Sequence, residues 1–361
     1  MPDPIKIAFY SSSLSKGGLE LNSIRYAQFM REAGFEIIYC CVENSPLHQA
    51  CVQGNLPCIF IERNKRYWDW KCSKKIAKLH HTRRIDWWWF RDPRDMDTMA
   101  WAKLWSGNKI QLLYHQGMQL GKPKKDPIHT WRFKKINHWI CLSNELAQQV
   151  KEWTRFPSEK VTVIPLALQD EKQSIPYKSG AFKTLVIGRW DPQKNQHLVV
   201  NAFQMLHHKY PQLELTFIGE STEGENANYE KDIKKKVRHW DLQKVIHFEK
   251  FQFNLAPYYA QSHLFIIPSL KETFGMVTIE AMRAGLPILG ANTGGTKSLI
   301  DQNHCGATFS PHDADELAQL WEKAILDEAW RSDKKKNSRF AFEQHFSIAH
   351  QIPVWKRLLH P

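Results

Sequence analysis

SLKETFGMVTIEAMRAGLPILGANTGGTKSLI, residues 269–300, is the stretch that decides the fold. The apolar run HLFIIP (263–268) leads into it. A turn holding Glu272, Phe274 and Gly275 follows, and an amphipathic segment over 275–284 reads as a helix. The apolar pattern restarts at PILG (287–290). Strand, turn, helix and strand in this order predict a parallel β-α-β unit. A helix start presents unpaired amides and the positive end of the helix dipole, which suits phosphate. Gly275 removes a side chain where a phosphate could approach. Glu280 lies about 7 Å further along the helix axis. Carboxylates accept hydrogen bonds from hydroxyls, so Glu272 and Glu280 point to ribose and sugar hydroxyls on either side of a diphosphate.

The same alternation extends outward in both directions. In the first half, 5–10, 35–43, 58–62, 85–90, 110–115, 138–143 and 161–165 read as strands, with helices near 19–32, 73–83, 96–105 and 143–153. The strands are continuous apolar runs, as in parallel sheets buried on both faces. DEKQSIPYKSGAF (170–182) is polar, carries Pro and Gly, and reads as a linker. Strands resume at 183–188, 213–219, 244–248, 263–268 and 287–290, with helices near 194–209, 227–240, 275–284 and 312–330. The pattern predicts an α/β chain of two tandem Rossmann-like domains, 1–169 and 183–340, facing across a cleft. Sheets of this kind bind ligands outside the carboxyl ends of their strands. The final segment, 341–361, carries Phe342, Phe346, Ile348, Ile352, Trp355 and Leu358. It is too apolar to be a free tail and is expected to pack back on the first domain.

Two further elements sit at strand ends. In VIGRWDPQKNQHLVVNAF (186–203), Gly188 closes a strand and the cations Arg189 and Lys194 follow where anions collect. Arg forks two phosphate oxygens and Lys supplies a point charge. In SSSLSKGGLELNSI (11–24), Gly17 and Gly18 close the first strand-to-helix turn and could admit a phosphate or sugar to backbone amides.

These elements together resemble the retaining glycosyltransferases of the GT-B fold, family 4. Glu272 and Glu280 enclose seven residues that include Phe274-Gly275, and Ala281-Met282, Ala284-Gly285 and Pro287 follow in the family's order. Gly188, Arg189 and Lys194 match its Gly-Arg-x-x-x-x-Lys element. Gly17-Gly18-Leu19-Glu20 matches its N-terminal turn, and His115 stands where the family usually has a histidine. Two positions depart: Leu166-Ala167 replaces a typical Asn-Gly, and Ser298 replaces a frequent Glu. The resemblance implies a nucleotide-diphosphate sugar, UDP- or GDP-linked, bound mainly by the second domain. Glu280 would hold ribose hydroxyls, Glu272 would hold the transferred sugar, and Arg189 and Lys194 the diphosphate. Gly188, Phe274, the amides of Gly275, Met276 and Val277, and Gly17 and Gly18 would complete the donor site, with His115 near the reacting groups. It implies retention of configuration, no metal, no cofactor and no protein base. A glycan or lipid-linked glycan would be the acceptor, in cell-surface polysaccharide synthesis such as lipopolysaccharide assembly. A nucleotide-sugar epimerase or a phosphorylase is the alternative on the same fold.

Composition narrows the setting. Of 361 residues, 42% are apolar and 24% charged, which is ordinary globular chemistry. No apolar run reaches the roughly 18 residues of a membrane span. MPDPIKIAFY lacks the apolar core of a secretory signal. Fifty Lys and Arg against 37 Asp and Glu give +13, of which +10 lies in residues 1–170. The segments 74–84, 121–126 and 132–135 group many cations, with Trp68, Trp70, Trp101 and Trp105 nearby. They read either as a solvated surface or as a patch that docks on an anionic membrane leaflet. No nucleic-acid recognition signature accompanies the charge. The seven cysteines are odd in number and contain no C-x-x-C pair. Free buried thiols of a reducing, cytoplasmic compartment are expected, without zinc-ligand spacing. Asp95-Met96-Asp97 reads as a surface loop, and Trp87-Trp88-Trp89 as sheet core.

Overall fold

The computed structural model describes residues 4–15, 17–65, 68–171, 180–221, 227–252, 254–272 and 274–360. Most of the expected linker, 172–179, lies outside the described residues. The chain divides into two compact units, residues 1–166 with 351–361, and residues 167–350.

In the first unit the strands are β1 (Lys6–Tyr10), β2 (Glu36–Val42), β3 (Cys58–Ile61), β4 (Trp87–Phe90), β5 (Gln111–Gln116), β6 (His138–Cys141) and β7 (Val161–Val163). They form one parallel sheet in the order β3-β2-β1-β4-β5-β6-β7. The inner strands β1, β2, β4 and β6 come from apolar runs and are largely buried, as crossover helices on both faces require, while the edge strands β3 and β7 are partly exposed. Phe9 of β1 stacks on Trp89 of β4 with ring centroids 4.9 Å apart. Trp87, Trp88 and Trp89 are all buried, as core packing requires.

The second unit holds β8 (Phe182–Ile187), β9 (Leu213–Ile218), β10 (Ile246–Glu249), β11 (Leu264–Ile267), β12 (Ile288–Ala291) and β13 (Gly306–Phe309). Its parallel order is β10-β9-β8-β11-β12-β13. Val199, Phe203, Leu215, Phe217, Leu264, Ile266, Leu289 and Trp321 form its buried centre.

Three expectations need correction. The helix read over 312–330 is two helices, Ala314–Leu326 and Glu328–Ala341. Asp327 ends the first and caps the second, accepting the Trp330 amide at 2.8 Å. The strand Gly306–Phe309 and the helix Gly294–Asn303 carried no sequence signal. The strand is short, and Gly306 is there because a Cβ would lie 1.7 Å from the Ile288 carbonyl oxygen. The helix opens on two glycines, which are poor helix formers.

The third correction concerns the C-terminal segment. Only 351–361 belongs with the first unit, and 341–350 stays in the second. Phe346 packs edge-on to Phe274, and its carbonyl accepts the Leu168 amide at 2.9 Å. Beyond that point Trp355 is buried 4.5 Å from the Trp89 ring, and Gln351 donates to the Pro165 carbonyl at 2.9 Å. The Trp87 indole also donates to the Leu359 carbonyl at 2.9 Å, so the last turns are tied to the first sheet. Trp355→Ala should therefore destabilise the first unit by about 3–5 kcal/mol, the usual cost of emptying a buried indole site. Urea unfolding followed by near-ultraviolet circular dichroism checks this; an unchanged midpoint would contradict the packing.

Candidate functional site

Each sheet reverses its strand order once, between β1 and β4 and between β8 and β11. At such a switch point the two loops leaving adjacent strands diverge to opposite faces and open a crevice. In the second unit those loops are Gly188–Lys194, after β8, and Pro268–Gly275, after β11. The sequence elements singled out for chemistry thus leave neighbouring strands of one sheet.

Side chains bring the two loops together. Lys194 Nζ lies 2.6 Å from Glu272 Oε2, with the side chains 26% and 19% exposed. The Leu270 amide donates to the Gln193 carbonyl at 2.8 Å, a backbone tie between the same loops. Asp191 accepts the Gln193 amide at 2.8 Å and winds Pro192–Lys194 into a short 3-10 turn that aims Lys194 back. Gly188 lies against the Lys194 stem, where a Cβ would sit 3.7 Å from Cδ. Arg189 is exposed, and its carbonyl accepts Gln196 Nε2 at 2.7 Å.

Gly275 is the N-cap of the helix Met276–Arg283 with φ +80°, and as a glycine it offers the helix start no capping side chain. A Cβ there would be 2.9 Å from Thr278 Oγ1, so the glycine is required both by conformation and by space. Gly294, at φ +48°, lets the Gly295 amide reach the Glu272 carbonyl at 2.9 Å; a Cβ at Gly294 would meet that carbonyl oxygen at 2.5 Å. The backbone of Glu272 is thus clamped from the next β-α turn. Glu280, half-buried one turn along, accepts the Tyr259 hydroxyl at 3.0 Å. Tyr259 carries no motif that would single it out in the sequence, yet it is buried and holds the Glu280 carboxylate. Met276 and Val277 are half-buried, and Phe274 is buried against Phe346 rather than offered to a ligand.

In the first unit, Gly17 caps the helix Gly18–Glu32. Buried Glu20 accepts the Gly17 amide at 3.1 Å and the Ser13 hydroxyl at 2.6 Å, which fixes the turn. His115 requires correction as a reacting group. Its side chain is 0% exposed, ringed by Tyr26, Trp89 and Trp355 at centroid distances of 5.3, 5.5 and 5.7 Å. Burial first, then the Arg91 charge, holds its pKa well below the usual range, so it is a neutral core imidazole.

Asp95 and Asp97 do not lie in a surface loop. Asp97 makes a 2.8 Å ion pair with Arg132, both side chains largely covered. Asp95 is fully buried and accepts Ser12 Oγ at 2.5 Å and Asn64 Nδ2 at 2.8 Å. Burial pushes its pKa up to about 7, against the opposing Ser12 hydrogen bond. Buried Arg91 stands beside this cluster in sequence, its pKa lowered to about 10 by desolvation.

Away from the strand ends, Trp68, Trp101 and Trp131 form a run of rings with centroids 5.6 and 4.7 Å apart. They line a cavity of about 340 Å³ with Asp97, Pro127 and Ile128. Trp68 is 63% and Ile128 65% exposed, and Lys74 Nζ sits 4.6 Å over the exposed Trp105 ring.

The profile of the family described as Glycosyltransferase Family 4 matches residues 16–172, and that of Glycosyl transferases group 1 matches residues 169–340. The serotype-specific mannosyltransferase WbdA of Escherichia coli is 26% identical over 259 residues, covering 67% of this chain and 31% of WbdA. This chain thus spans about a third of the length of that relative. The capsular polysaccharide biosynthesis glycosyltransferase CapM of Staphylococcus aureus is 27% identical over 172 residues, 48% of this chain and 43% of CapM. Among solved structures, Anabaena HepE in complex with UDP and glucose superposes with a TM-score of 0.77 at 20% identity, over 98% of this chain and 99% of HepE. That likeness establishes the fold, two Rossmann-like domains of the GT-B type.

The buried Asp95 predicts a pH dependence. The folded chain holds a proton that the unfolded chain releases near pH 3.8, and gives it up only near 7. Stability from this group is therefore complete below pH 3.8 and falls as pH rises through about 7. Asp95→Asn keeps the acceptor for Ser12 and Asn64 and removes the ionisation. The variant should gain stability relative to the parent between pH 5 and pH 8, by urea unfolding at both. A constant difference would show that Asp95 does not titrate there.

Proposed function

This chain belongs to glycosyltransferase family 4, and from that membership we propose that it transfers a hexose, with retention, from a UDP- or GDP-sugar to a hydroxyl of a glycan or lipid-linked glycan. Similarity to WbdA and CapM favours a place in cell-surface polysaccharide synthesis. The observation that carries the site assignment is the Lys194–Glu272 pair across the β8/β11 switch point. It puts a cation for phosphate and an acceptor for sugar hydroxyls within one hydrogen bond of each other, beside the helix start at Gly275.

On this reading the diphosphate lies against Lys194, Arg189 and the amides of Gly275, Met276 and Val277. Glu280, held by Tyr259, takes the ribose hydroxyls. Glu272 takes hydroxyls of the transferred sugar, its backbone clamped by Gly295. As the bond from sugar C1 to the phosphate oxygen breaks, the sugar acquires oxocarbenium character and the diphosphate gains negative charge. Fixed cations and amides stabilise that charge without reorganising, so the residues present suffice without a divalent ion. The acceptor hydroxyl attacks C1 from the departing face, and its proton passes to the leaving phosphate oxygen. Phe274 supports the turn from behind, and Gly17 and Gly18 offer helix-start amides in the first unit.

Lys194→Ala should lower kcat about 100-fold, on the scale of removing one oxyanion donor. Glu280→Ala should raise the donor KM with a smaller effect on kcat. A panel of UDP- and GDP-sugars, screened first by thermal shift, supplies the substrate for both measurements. Full transfer by both variants would overturn the assignment, and interconversion of the donor without acceptor would favour an epimerase.

We further propose that the first unit docks on an anionic leaflet, cytoplasmic face, to reach a lipid-linked acceptor. No helix among the described residues is long and apolar enough to cross a membrane. The exposed Trp68, Trp70, Trp105 and Ile128 suit the membrane interface, where aromatic rings sit at headgroup level. Cations of 74–84 and 121–126 would each add about 1 kcal/mol near such a surface. Sedimentation with phosphatidylglycerol vesicles should be salt-sensitive, absent with phosphatidylcholine, and weakened several-fold by Trp68→Ser with Trp70→Ser. Equal binding to both vesicles would refute this.

A further inference from the structure

Three cysteines that are far from any ligand motif in sequence converge in the first unit. The Sγ atoms of Cys41, Cys51 and Cys58 all lie within 4.8 Å of one another. Each comes from a different element of one crossover: Cys41 near the end of β2, Cys51 from the helix Pro46–Gln53, and Cys58 from the first position of β3. The geometry follows from the sheet. Tyr39 is in register with Cys58, and Cys41 is two residues beyond Tyr39, so alternation puts Cys41 and Cys58 on one face of the β2–β3 pair. The helix that joins the two strands covers that face and delivers Cys51. Cys40 points the other way; it is in register with Tyr10, whose hydroxyl lies 3.3 Å from Cys72 Sγ.

From this convergence we propose that Cys41, Cys51 and Cys58 form a three-thiolate site for a soft, closed-shell metal ion such as Zn²⁺ or Cu⁺. Thiolates select such ions over hard cations. Three sulfurs about 2.3 Å from one ion lie about 4.0 Å apart in a trigonal plane, and about 3.8 Å apart around a tetrahedral Zn²⁺ whose fourth position takes a water. Sulfurs already within 4.8 Å of one another reach that spacing by side-chain adjustment alone. A disulfide would have to bring two of them to about 2.05 Å and would leave the third unused. Cys41 and Cys51 are buried and Cys58 is half-buried, so the site is dry on two sides and open on the third, where an ion can enter. Each ligating thiol gives up its proton to solvent, so uptake by three thiols releases three protons and moves no electrons. The bound ion would staple β3, the edge strand of the sheet, to its neighbour and to the crossover helix.

The test uses the full chain, reduced with a thiol-free reductant and stripped of metal. Titration with Cd²⁺ as a spectroscopic probe should give a sulfur-to-metal charge-transfer band that saturates at one ion per chain. Bound Cd²⁺ should protect Cys41, Cys51 and Cys58, and not Cys40, Cys72, Cys141 or Cys305, from alkylation mapped by mass spectrometry. Separate titrations with Zn²⁺ and Cu⁺ then identify the ion that binds tighter and raises the melting temperature more. Cys58→Ser, at the half-buried position, should abolish saturation at one ion per chain, whereas Cys305→Ser should leave it intact. The alkylation map reads the site in the parent chain, so the result does not depend on Cys51→Ser folding. Absence of the band, protection of other cysteines, or unchanged uptake by Cys58→Ser would overturn the site. So would a disulfide among the three whose reduction restores no metal uptake.

Discussion

Crossovers between parallel strands are right-handed in nearly every protein, and that constraint organises both halves of the chain. A sheet that starts in its middle must grow first to one side and then to the other. The order therefore reverses once, between β1 and β4 in one unit and between β8 and β11 in the other. At each reversal two loops leave adjacent strands in opposite directions. The loops there can carry glycines, helix starts and charge. The meeting of two loops in the second unit follows from this arrangement. Lys194 and Glu272 are 78 residues apart in the chain, yet their side chains meet at 2.6 Å.

The same reversal in the first unit is finished differently. Its β1 loop is anchored inward: Ser12 and Asn64 hold Asp95, and Ser13 and Gly17 hold Glu20. These are buried polar networks whose members largely satisfy one another, and they rigidify the turn they support. The cost of a buried carboxyl group is lowered by keeping its proton, which is why Asp95 has a raised pKa. His115 shows the opposite solution, a buried imidazole kept neutral among aromatic rings. An isolated histidine at a strand end looks reactive in sequence. In this fold it packs under the terminal helix, and Trp355 covers it.

Much of the fold was legible because continuous apolar runs and helical spacing are local properties. The strands 5–10, 85–90 and 213–219 needed no partner to be recognised. The failures lie where capping or a partner distant in sequence decides the outcome. Gly306–Phe309 has no apolar excess, and its glycine is dictated by a neighbouring strand's carbonyl. Asp327 splits a helix by capping, an act the apolar periodicity on either side conceals. Asp95-Met96-Asp97 looked solvated because its charges were visible and its partners, Ser12, Asn64 and Arg132, were distant in sequence.

The chain order and residue chemistry by themselves determined the two-unit α/β architecture, the positions of the phosphate-suited turns and the identity of the paired acids and bases. These depend on periodicity, on glycine's freedom at positive φ and on what each side chain can donate or accept. Tertiary structure alone decided which of those groups meet. It brought Lys194 to Glu272 and Tyr259 to Glu280, buried His115 and Asp95, and gathered Cys41, Cys51 and Cys58. The physical reason is that burial and hydrogen-bond partnership are set by strand order and register, and these arise only when distant segments pair.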